Sequence, residues 1–176
     1  MTECEFCTLI KGKMNKVYED EQIFVMHAPK PATFGHLLVL PKKHAMIIEQ
    51  IPDFEIGEMF GKINKISTAV FESLGAQGTN IILQNGVAAG QSHSHLMVHV
   101  IPRREGDGID FTWQPKSLSE EDMSTIELKL KEFTKNIGLF EEKPPEPLEI
   151  DSEVEQIKDV DGDEENYLIK QLERIP

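Results

Sequence analysis

Apolar positions along the chain follow two periodicities, which together predict four strands and two long helices. Apolar runs of strand length occur over residues 16–26, 37–40, 79–84 and 93–100. The run over 37–40 is almost entirely apolar and therefore predicts a central strand. Apolar residues at helical spacing follow Asp53 and Ser119, and Asp and Ser are both common helix caps. The first of these helices is expected to end at Gly75 and Gly78. The order strand–strand–helix–strand–strand–helix predicts an α+β fold, an antiparallel sheet with two main helices.

The last predicted strand carries histidines at alternating positions. Its polar side begins at His93 and continues with His95, Met97 and His99. Because successive strand side chains point to opposite faces, these four residues are expected to share one face. The opposite face is apolar: Leu96, Val98 and Val100. Imidazole nitrogens need partners when buried, so the pattern indicates a site that handles metal, phosphate or protons.

The composition changes after Phe140, so that residues 1–140 are predicted to form one domain. Residues 141–165 are rich in Pro and Glu and have too few apolar residues for a core, which favours an extended acidic linker. Residues 166–176 recover an apolar stripe at helical spacing and predict a short amphipathic C-terminal helix. This helix is expected to dock on its own domain, on a second subunit or on another protein.

Charge and cysteine content limit the classes of function. The formal net charge is −13, and binding to nucleic acid or anionic membranes depends on a basic surface, so neither is expected. No apolar run approaches the roughly 18 residues that a membrane span needs. The two cysteines lie at the N-terminus with no apolar signal segment before them. This placement argues against a secreted disulfide framework and favours a cytoplasmic protein.

Two ordered segments resemble the signatures of the histidine-triad (HIT) family. Residues 85–91, Asn-Gly-Val-Ala-Ala-Gly-Gln, lead into the segment His-Leu-Met-Val-His-Val-Ile-Pro-Arg at 95–103, as the family's Gly-Gln loop leads into its histidine strand. Upstream, residues 35–44, Gly-His-Leu-Leu-Val-Leu-Pro-Lys-Lys-His, are similar to the family's second signature. The resemblance covers about residues 4–103 and implies a HIT-like fold, a nucleotide ligand and a homodimer.

The chain departs from the family at the middle histidine of the triad. With Gln91 and Arg103 aligned to the family pattern, the first and third histidines are His95 and His99. Met97 then occupies the position of the middle histidine, which in the family attacks the α-phosphate and becomes nucleotidylated. A thioether forms no stable phosphoryl intermediate, so Met97 cannot perform that step. The simplest interpretation is that Met97 is a polarizable filler.

Two further positions bear on activity. In an extended strand His93 lies about 13 Å from Met97, too far to take over its role. Ala28 stands where the family usually carries an Asp that holds the ribose hydroxyls. These departures favour a nucleotide-binding or regulatory module that is impaired in ordinary nucleotidyl hydrolysis. The alternative is an active hydrolase or nucleotidyltransferase for phosphoanhydride or phosphoramidate bonds, which uses another nucleophile or a water activated by His99.

The resemblance also implies a metal site. Zinc-bearing relatives in the superfamily use two cysteines, a loop histidine and the first triad histidine as ligands. The matching residues are Cys4, Cys7, His44 and His95. Two sulfur and two nitrogen ligands suit tetrahedral zinc, and a site with no open position is structural, here clamping the N-terminus to the sheet. The alternative is a reduced thiol pair without metal.

The residues that surround the α-phosphate in the family also have counterparts here. They are Asn85, Gln91, Ser92 and His99. Amide, hydroxyl and imidazole groups donate hydrogen bonds to phosphate oxygens, and His99 is the remaining candidate for a catalytic role. Asn85 and Gly86 equally suit a tight turn. His27 and His36 are interpreted as structural or surface residues, and the role of His93 stays open.

Overall fold

A computed structural model of the chain describes residues 4–138. The predicted domain boundary at 140, the acidic linker and the C-terminal helix lie outside these residues. The strands are β1 (Lys16–Glu19), β2 (Ile23–His27), β3 (Leu37–Pro41), β4 (Gly78–Leu83) and β5 (Val98–Arg103). The helices are α1 (Glu5–Lys11), α2 (Asp53–Leu74) and α3 (Glu120–Phe133), with short 3₁₀ turns at Ile48–Gln50, Val87–Ala89 and Thr134–Asn136. The strands form one antiparallel sheet in the order β1-β2-β3-β5-β4, which confirms the α+β prediction.

The centre of the sheet is β3, as the apolar run predicted. All five of its residues are buried, and it pairs with β2 on one side and β5 on the other. The single strand predicted over 16–26 is wrong, because a turn divides it into β1 and β2. Asp20 Oδ1 accepts the backbone N–H groups of Gln22 and Ile23, each at 2.8 Å. This side chain bends the backbone and starts the hairpin.

One face of the sheet is covered by α2. The helix begins at Asp53, with Pro52 rather than Asp53 as the N-cap residue, and it ends at Gly75 in the left-handed conformation. Its buried residues recur every three or four positions: Met59, Ile63, Ser67 and Val70. They pack over the buried side chains of β2, β3 and β5. Neither α2 nor any other helix within residues 4–138 is long and apolar enough to cross a membrane.

The other face of the sheet is covered by α1, which the sequence pattern did not predict. Phe6 and Ile10 are its buried residues, and they pack against apolar side chains of β2 and β3. A helix of seven residues with two buried positions is too short to show a clear period. The sheet therefore lies between two cores, a large one beneath α2 and a smaller one beneath α1.

The start of α3 agrees with the prediction, because Ser119 Oγ accepts the backbone N–H of Asp122 at 3.1 Å. The apolar side chains of the helix are nevertheless exposed: Met123, Ile126, Leu128, Leu130 and Phe133. Within residues 4–138, α3 thus adds nothing to either core. The homodimer implied by the family resemblance stays a prediction.

Candidate metal and nucleotide sites

The strand that carries the histidines is shorter than predicted. β5 begins at Val98, and residues 91–97 form a loop, so a continuous strand from His93 is wrong. The backbone N–H of Leu96 donates to the carbonyl of Ala45 at 2.7 Å, which ties this loop to the segment after β3. The predicted apolar face is confirmed, since three residues are buried in the core beneath α2: Leu96, Val98 and Val100. Met97 packs on the other side, against the core beneath α1.

Two sulfur and two nitrogen atoms converge beside the N-terminal end of α1. They belong to Cys4, Cys7, His44 and His95, and all four atoms lie within 4.8 Å of one another. Cys7 Sγ lies 3.3 Å from His44 Nδ1, and each cysteine Sγ lies 3.6 Å from His95 Nδ1. Among residues 4–138, no other group of three or more His, Cys, Asp or Glu ligands is this compact.

The tautomer of His95 suits metal binding. The side chain is fully buried, and its Nε2 lies 3.0 Å from the carbonyl oxygen of Pro41. A carbonyl only accepts, so Nε2 carries the proton and Nδ1 turns its lone pair toward the sulfur atoms. Burial lowers the pKa of His95, which favours the neutral ring that a metal requires.

The donor set fits zinc. Two thiolates and two neutral imidazoles supply the four ligands of a tetrahedral site, and sulfur disfavours magnesium and calcium. Cys4 is the N-cap residue of α1 and Cys7 lies one turn later, whereas His44 follows β3. A zinc ion held by these residues would join the helix to the sheet, and it would have no coordination position left for a substrate.

A cavity of about 320 Å³ lies on the α1 side of the sheet, next to the sulfur–nitrogen cluster. Three of the four predicted phosphate-binding residues line it: Gln91, Ser92 and His99. Met97 and Ala28, the two departures from the family pattern, line the same cavity. Five of the positions that the family resemblance singled out around the nucleotide therefore line one cavity, and Asn85 does not.

The amides of Asn85 and Gln91 stabilise the loops near this cavity. Asn85 does not line it, and its Nδ2 donates to both carboxylate oxygens of Glu49, at 2.8 and 3.0 Å. Gln91 Nε2 donates to the carbonyls of Met46 and His93, at 2.7 and 3.0 Å. Both amides therefore have structural partners, and their contact with a phosphate stays a prediction.

His36 is a member of the site that the sequence interpretation missed. It lines the cavity, is only 6% exposed, and places Nε2 3.0 Å from His99 Nδ1. The usable signal was positional, because His36 lies two residues before Leu38, and Leu38 pairs with His99 in the sheet. Strand alternation therefore puts His36 and His99 on the same face.

A chain of hydrogen bonds sets the tautomers of both rings. The backbone N–H of Ala32 donates to His36 Nδ1 at 3.0 Å, so the proton of a neutral His36 is on Nε2. That proton is donated to His99 Nδ1, so His99 carries its own proton on Nε2. Burial, and then the charge of His99, lower the pKa of His36 to about 4. Burial, and then the charge of His93, lower the pKa of His99.

His93 also belongs to the cavity wall, which overturns the reason for excluding it. The 13 Å separation from Met97 assumed an extended strand, but residues 91–97 are a loop and both side chains line the cavity. The His93 ring contacts the ring of Phe6 edge-on, with centroids 5.0 Å apart.

The HIT domain family model matches residues 11–106, more than half of the chain. This chain belongs to the HIT family. Adenylylsulfatase HINT3 of Arabidopsis thaliana is 35% identical over 118 residues, which are 66% of this chain and 58% of that protein. The chain thus aligns with little more than half of this relative. An uncharacterized HIT-like protein of Methanocaldococcus jannaschii is 40% identical over 107 residues, 60% of this chain and 82% of the relative.

Solved structures of HIT proteins have the same fold. A HIT family protein from Bacillus subtilis is 32% identical, with a TM-score of 0.68 over 74% of this chain and 96% of its own. A zinc-bound histidine triad protein from Mycobacterium smegmatis is 33% identical and has a TM-score of 0.58, and the match covers 74% of this chain and 95% of that protein. A histidine triad nucleotide-binding protein from Candida albicans is 25% identical and has a TM-score of 0.66, and the match covers 74% of this chain and 96% of that protein.

Proposed function

We propose that this HIT protein binds a nucleoside 5′-phosphate in the 320 Å³ cavity, that a structural zinc ion supports the cavity, and that Met97 prevents the formation of a nucleotidylated intermediate. The observation that carries the proposal is that Ser92, Met97 and His99 line the same cavity. Ser92 and His99 supply hydrogen-bond donors there, whereas Met97 supplies no nucleophile.

The hydrogen-bond donors of the cavity suit an anionic ligand. Lys30 and Glu5 both line it and carry opposite charges, whereas the Nε2–H of His99 and the hydroxyl of Ser92 are donors for phosphate oxygens. Two relatives support a nucleotide as the ligand: one is named as nucleotide-binding and the other as an adenylylsulfatase. A nucleoside phosphate is therefore the ligand class that agrees with both the residues and the relatives.

The tautomer of His99 favours binding over water activation. With Nδ1 accepting from His36, a neutral His99 has its proton on Nε2. An N–H at that position donates to a phosphate oxygen but has no lone pair that removes a proton from water. His99 is thus arranged to hold a ligand rather than to act as a general base.

The zinc cluster and the cavity share one helix. Cys4 and Cys7 flank Glu5 and Phe6, and both of these intervening residues line the cavity. Phe6 is 4% exposed and belongs to the core beneath α1. Metal binding at the cysteines would therefore hold in place the α1 wall against which a nucleotide packs.

The test compares the unchanged, zinc-saturated full chain with Met97→His. AMP binding is measured by calorimetry, and adenylylation is measured by intact mass after incubation with adenosine phosphoramidate. We expect the unchanged chain to bind AMP without any mass increase, and Met97→His to gain an adenylylated species. Met14→His is the matched control, because Met14 is exposed and does not line the cavity. Absence of AMP binding, or adenylylation of the unchanged chain, contradicts the proposal.

A second candidate function is hydrolysis, in which water attacks the α-phosphorus, displaces the leaving group and supplies the proton that the leaving group takes up. The observation that favours it is the same hydrogen-bond chain, because the Nε2–H of a neutral His99 can donate a hydrogen bond to an α-phosphate oxygen and stabilise the charge that develops there while keeping its proton. Under this alternative the unchanged chain turns over adenosine phosphoramidate, and His99→Ala abolishes that turnover. The absence of turnover in the unchanged chain excludes it.

A further inference from the structure

We propose that Cys4 and Cys7 form a reversible oxidation site, at which a peroxide converts the two thiolates to a disulfide within the chain. The zinc ion then leaves, α1 loosens from the sheet, and nucleotide binding weakens. The oxidation itself is argued from the cysteine–histidine cluster. Its effect on nucleotide binding rests on the proposed function.

The two sulfur atoms are placed to form a disulfide. Cys4 and Cys7 are the only cysteines of the chain, and their Sγ atoms lie within 4.8 Å of each other. The backbone N–H of Thr8 donates to the carbonyl of Cys4 at 3.1 Å, which closes a helical turn around both cysteines. Residues three apart on a helix are neighbours on one side of it. Rotation of the two side chains can therefore bring the sulfur atoms to the roughly 2 Å of a disulfide bond.

The cysteines form the accessible side of the cluster. Each Sγ lies 3.6 Å from His95 Nδ1, and Cys7 Sγ also lies 3.3 Å from His44 Nδ1. Both cysteines are half-buried, whereas His95 is fully buried. A small oxidant therefore meets the sulfur atoms before it meets the buried imidazole. Zinc binding requires thiolates, and the thiolate is also the form of cysteine that attacks peroxides.

The reaction balances with hydrogen peroxide as the oxidant. One thiolate attacks a peroxide oxygen and breaks the O–O bond, which gives a sulfenic acid and a hydroxide ion. The second thiolate attacks that sulfur, forms the S–S bond and expels a second hydroxide ion. The sulfur atoms lose two electrons, the peroxide gains them, and the charge of zinc does not change. Of the four ligands of the cluster only His44 and His95 remain, and zinc is released because two ligands do not complete a tetrahedral site.

Release of zinc weakens the attachment of α1 to the sheet. The helix has seven residues, of which Phe6 and Ile10 are buried, and a helix of this length is not stable in water by itself. The cluster joins it to His44, which follows β3, and to His95, which precedes β5. Without that link α1 depends mainly on the packing of its two buried side chains. Because Phe6 also lines the nucleotide cavity, displacement of α1 removes part of the cavity wall.

The test treats the zinc-saturated full chain with hydrogen peroxide. Zinc release is followed with a chromogenic chelator, and the thiols are followed by intact mass after denaturation. We expect zinc to leave in step with the loss of two hydrogen atoms from the chain. Backbone hydrogen exchange should become faster in α1 and stay unchanged in α2, which is the internal reference. Calorimetry should show an affinity for AMP that is lower by about tenfold.

Two controls separate the disulfide from other effects of peroxide. Dithiothreitol with added zinc should restore the zinc content and the AMP affinity, whereas it does not reduce a sulfoxide at Met97. Cys4→His is the matched variant, since it keeps a ligand atom at position 4 but cannot form the disulfide. After oxidation of Cys7 it still offers three imidazoles, a ligand set that holds zinc. We therefore expect peroxide to leave zinc bound to this variant.

The outcomes distinguish the parts of the inference. The oxidation site is contradicted if zinc stays bound in peroxide, if the cysteines only gain oxygen atoms, if the disulfide joins two chains, or if Cys4→His loses zinc as fast as the unchanged chain. A disulfide that leaves α1 exchange and AMP affinity unchanged overturns the link to the cavity alone. Absence of AMP binding before oxidation overturns the proposed function, while zinc release and mass still test the oxidation site. An untreated chain that holds no zinc overturns both.

Discussion

Replacing His36 tests the hydrogen-bond chain that sets the tautomer of His99. His36→Phe keeps an aromatic ring of similar shape but removes both ring nitrogens, so the Ala32 N–H and His99 Nδ1 lose their partners. His36→Gln is the matched variant, because a Gln amide can still donate to His99 from a position close to that of Nε2. Neither substitution changes the zinc cluster.

The expected loss follows from the groups left without partners. Each unsatisfied buried donor or acceptor costs about 1–3 kcal/mol, so His36→Phe, which leaves two such groups, should lower the unfolding free energy at pH 7 by about 2–6 kcal/mol. His36→Gln keeps one of the two hydrogen bonds and should lose about half as much. The 6% exposure of His36 makes hydration of the freed groups by bulk water a poor substitute.

Protonation of His36 also makes the unfolding free energy depend on pH. The pKa of His36 is about 4 in the folded protein and has an ordinary value of 6.5, so the unfolded chain binds this proton more readily between those two pH values. The unfolding free energy therefore falls as pH drops from 6.5 to 4, by up to about 3 kcal/mol from this group. Both His36 variants lack this contribution, so the stability of each variant relative to the unchanged chain should improve by up to about 3 kcal/mol as pH falls from 6.5 to 4.

Urea unfolding of the zinc-saturated unchanged chain, His36→Phe and His36→Gln between pH 7 and 4.5 measures the loss of unfolding free energy and its pH dependence. Zinc ligands also protonate in this range, but they are common to all three proteins, so the differences between proteins isolate His36. Nitrogen-15 NMR of the His99 ring supplies an independent readout: Nε2 should carry the proton in the unchanged chain and share it with Nδ1 in His36→Phe. A stability deficit that stays constant from pH 7 to 4.5, together with an unchanged His99 tautomer, would refute the reasoning.

Two other perturbations probe the metal cluster and the packing of the sheet. Cys7→Ser removes a zinc ligand, so we expect the unchanged chain to contain one zinc per protein by elemental analysis and the variant to lose it together with several kcal/mol of stability. Equal metal content in the two proteins would contradict this. Gly35→Ala puts a side chain on a residue with φ of +88° and against Leu74 and Pro102, and should cost about 2 kcal/mol or more in urea unfolding. Gly57→Ala is the control, since a Cβ there meets nothing within 4 Å, and it should stabilise α2 by about 0.5–1 kcal/mol.

Local patterns were sufficient for the main elements of the fold. The apolar run of β3, the spacing of the buried residues of α2 and the Ser119 cap of α3 each depend on residues close together in the chain. Three local expectations still differed from the structure. The side chain of Asp20 turned one predicted strand into a hairpin, and the strand predicted from His93 begins only at Val98. The helix α1 was too short for its period to be recognised.

The candidate site was predictable only as far as the family resemblance reached. The resemblance named the four members of the cysteine–histidine cluster, and the structure brings their ligand atoms within 4.8 Å of one another. It also named Asn85 and Gln91 as phosphate contacts, but Asn85 donates to Glu49 and Gln91 donates to the carbonyl of Met46, and both of these partners lie far away in sequence. A list of matching residues does not contain those competing partners.

The sequence alone determined which chemical groups are present and on which face of a strand they lie. Strand alternation separates Val98 and Val100 from His99. The thioether of Met97 has no nucleophilic nitrogen. Tertiary structure decided how those groups work together. The sheet pairing brought His36 to His99 and so selected the ring nitrogen of His99 that carries the proton, and the loop before β5 put His93 in the same cavity. The physical reason is that a tautomer or a cavity wall depends on contacts across the fold, whereas periodicity reports only on neighbours along the chain.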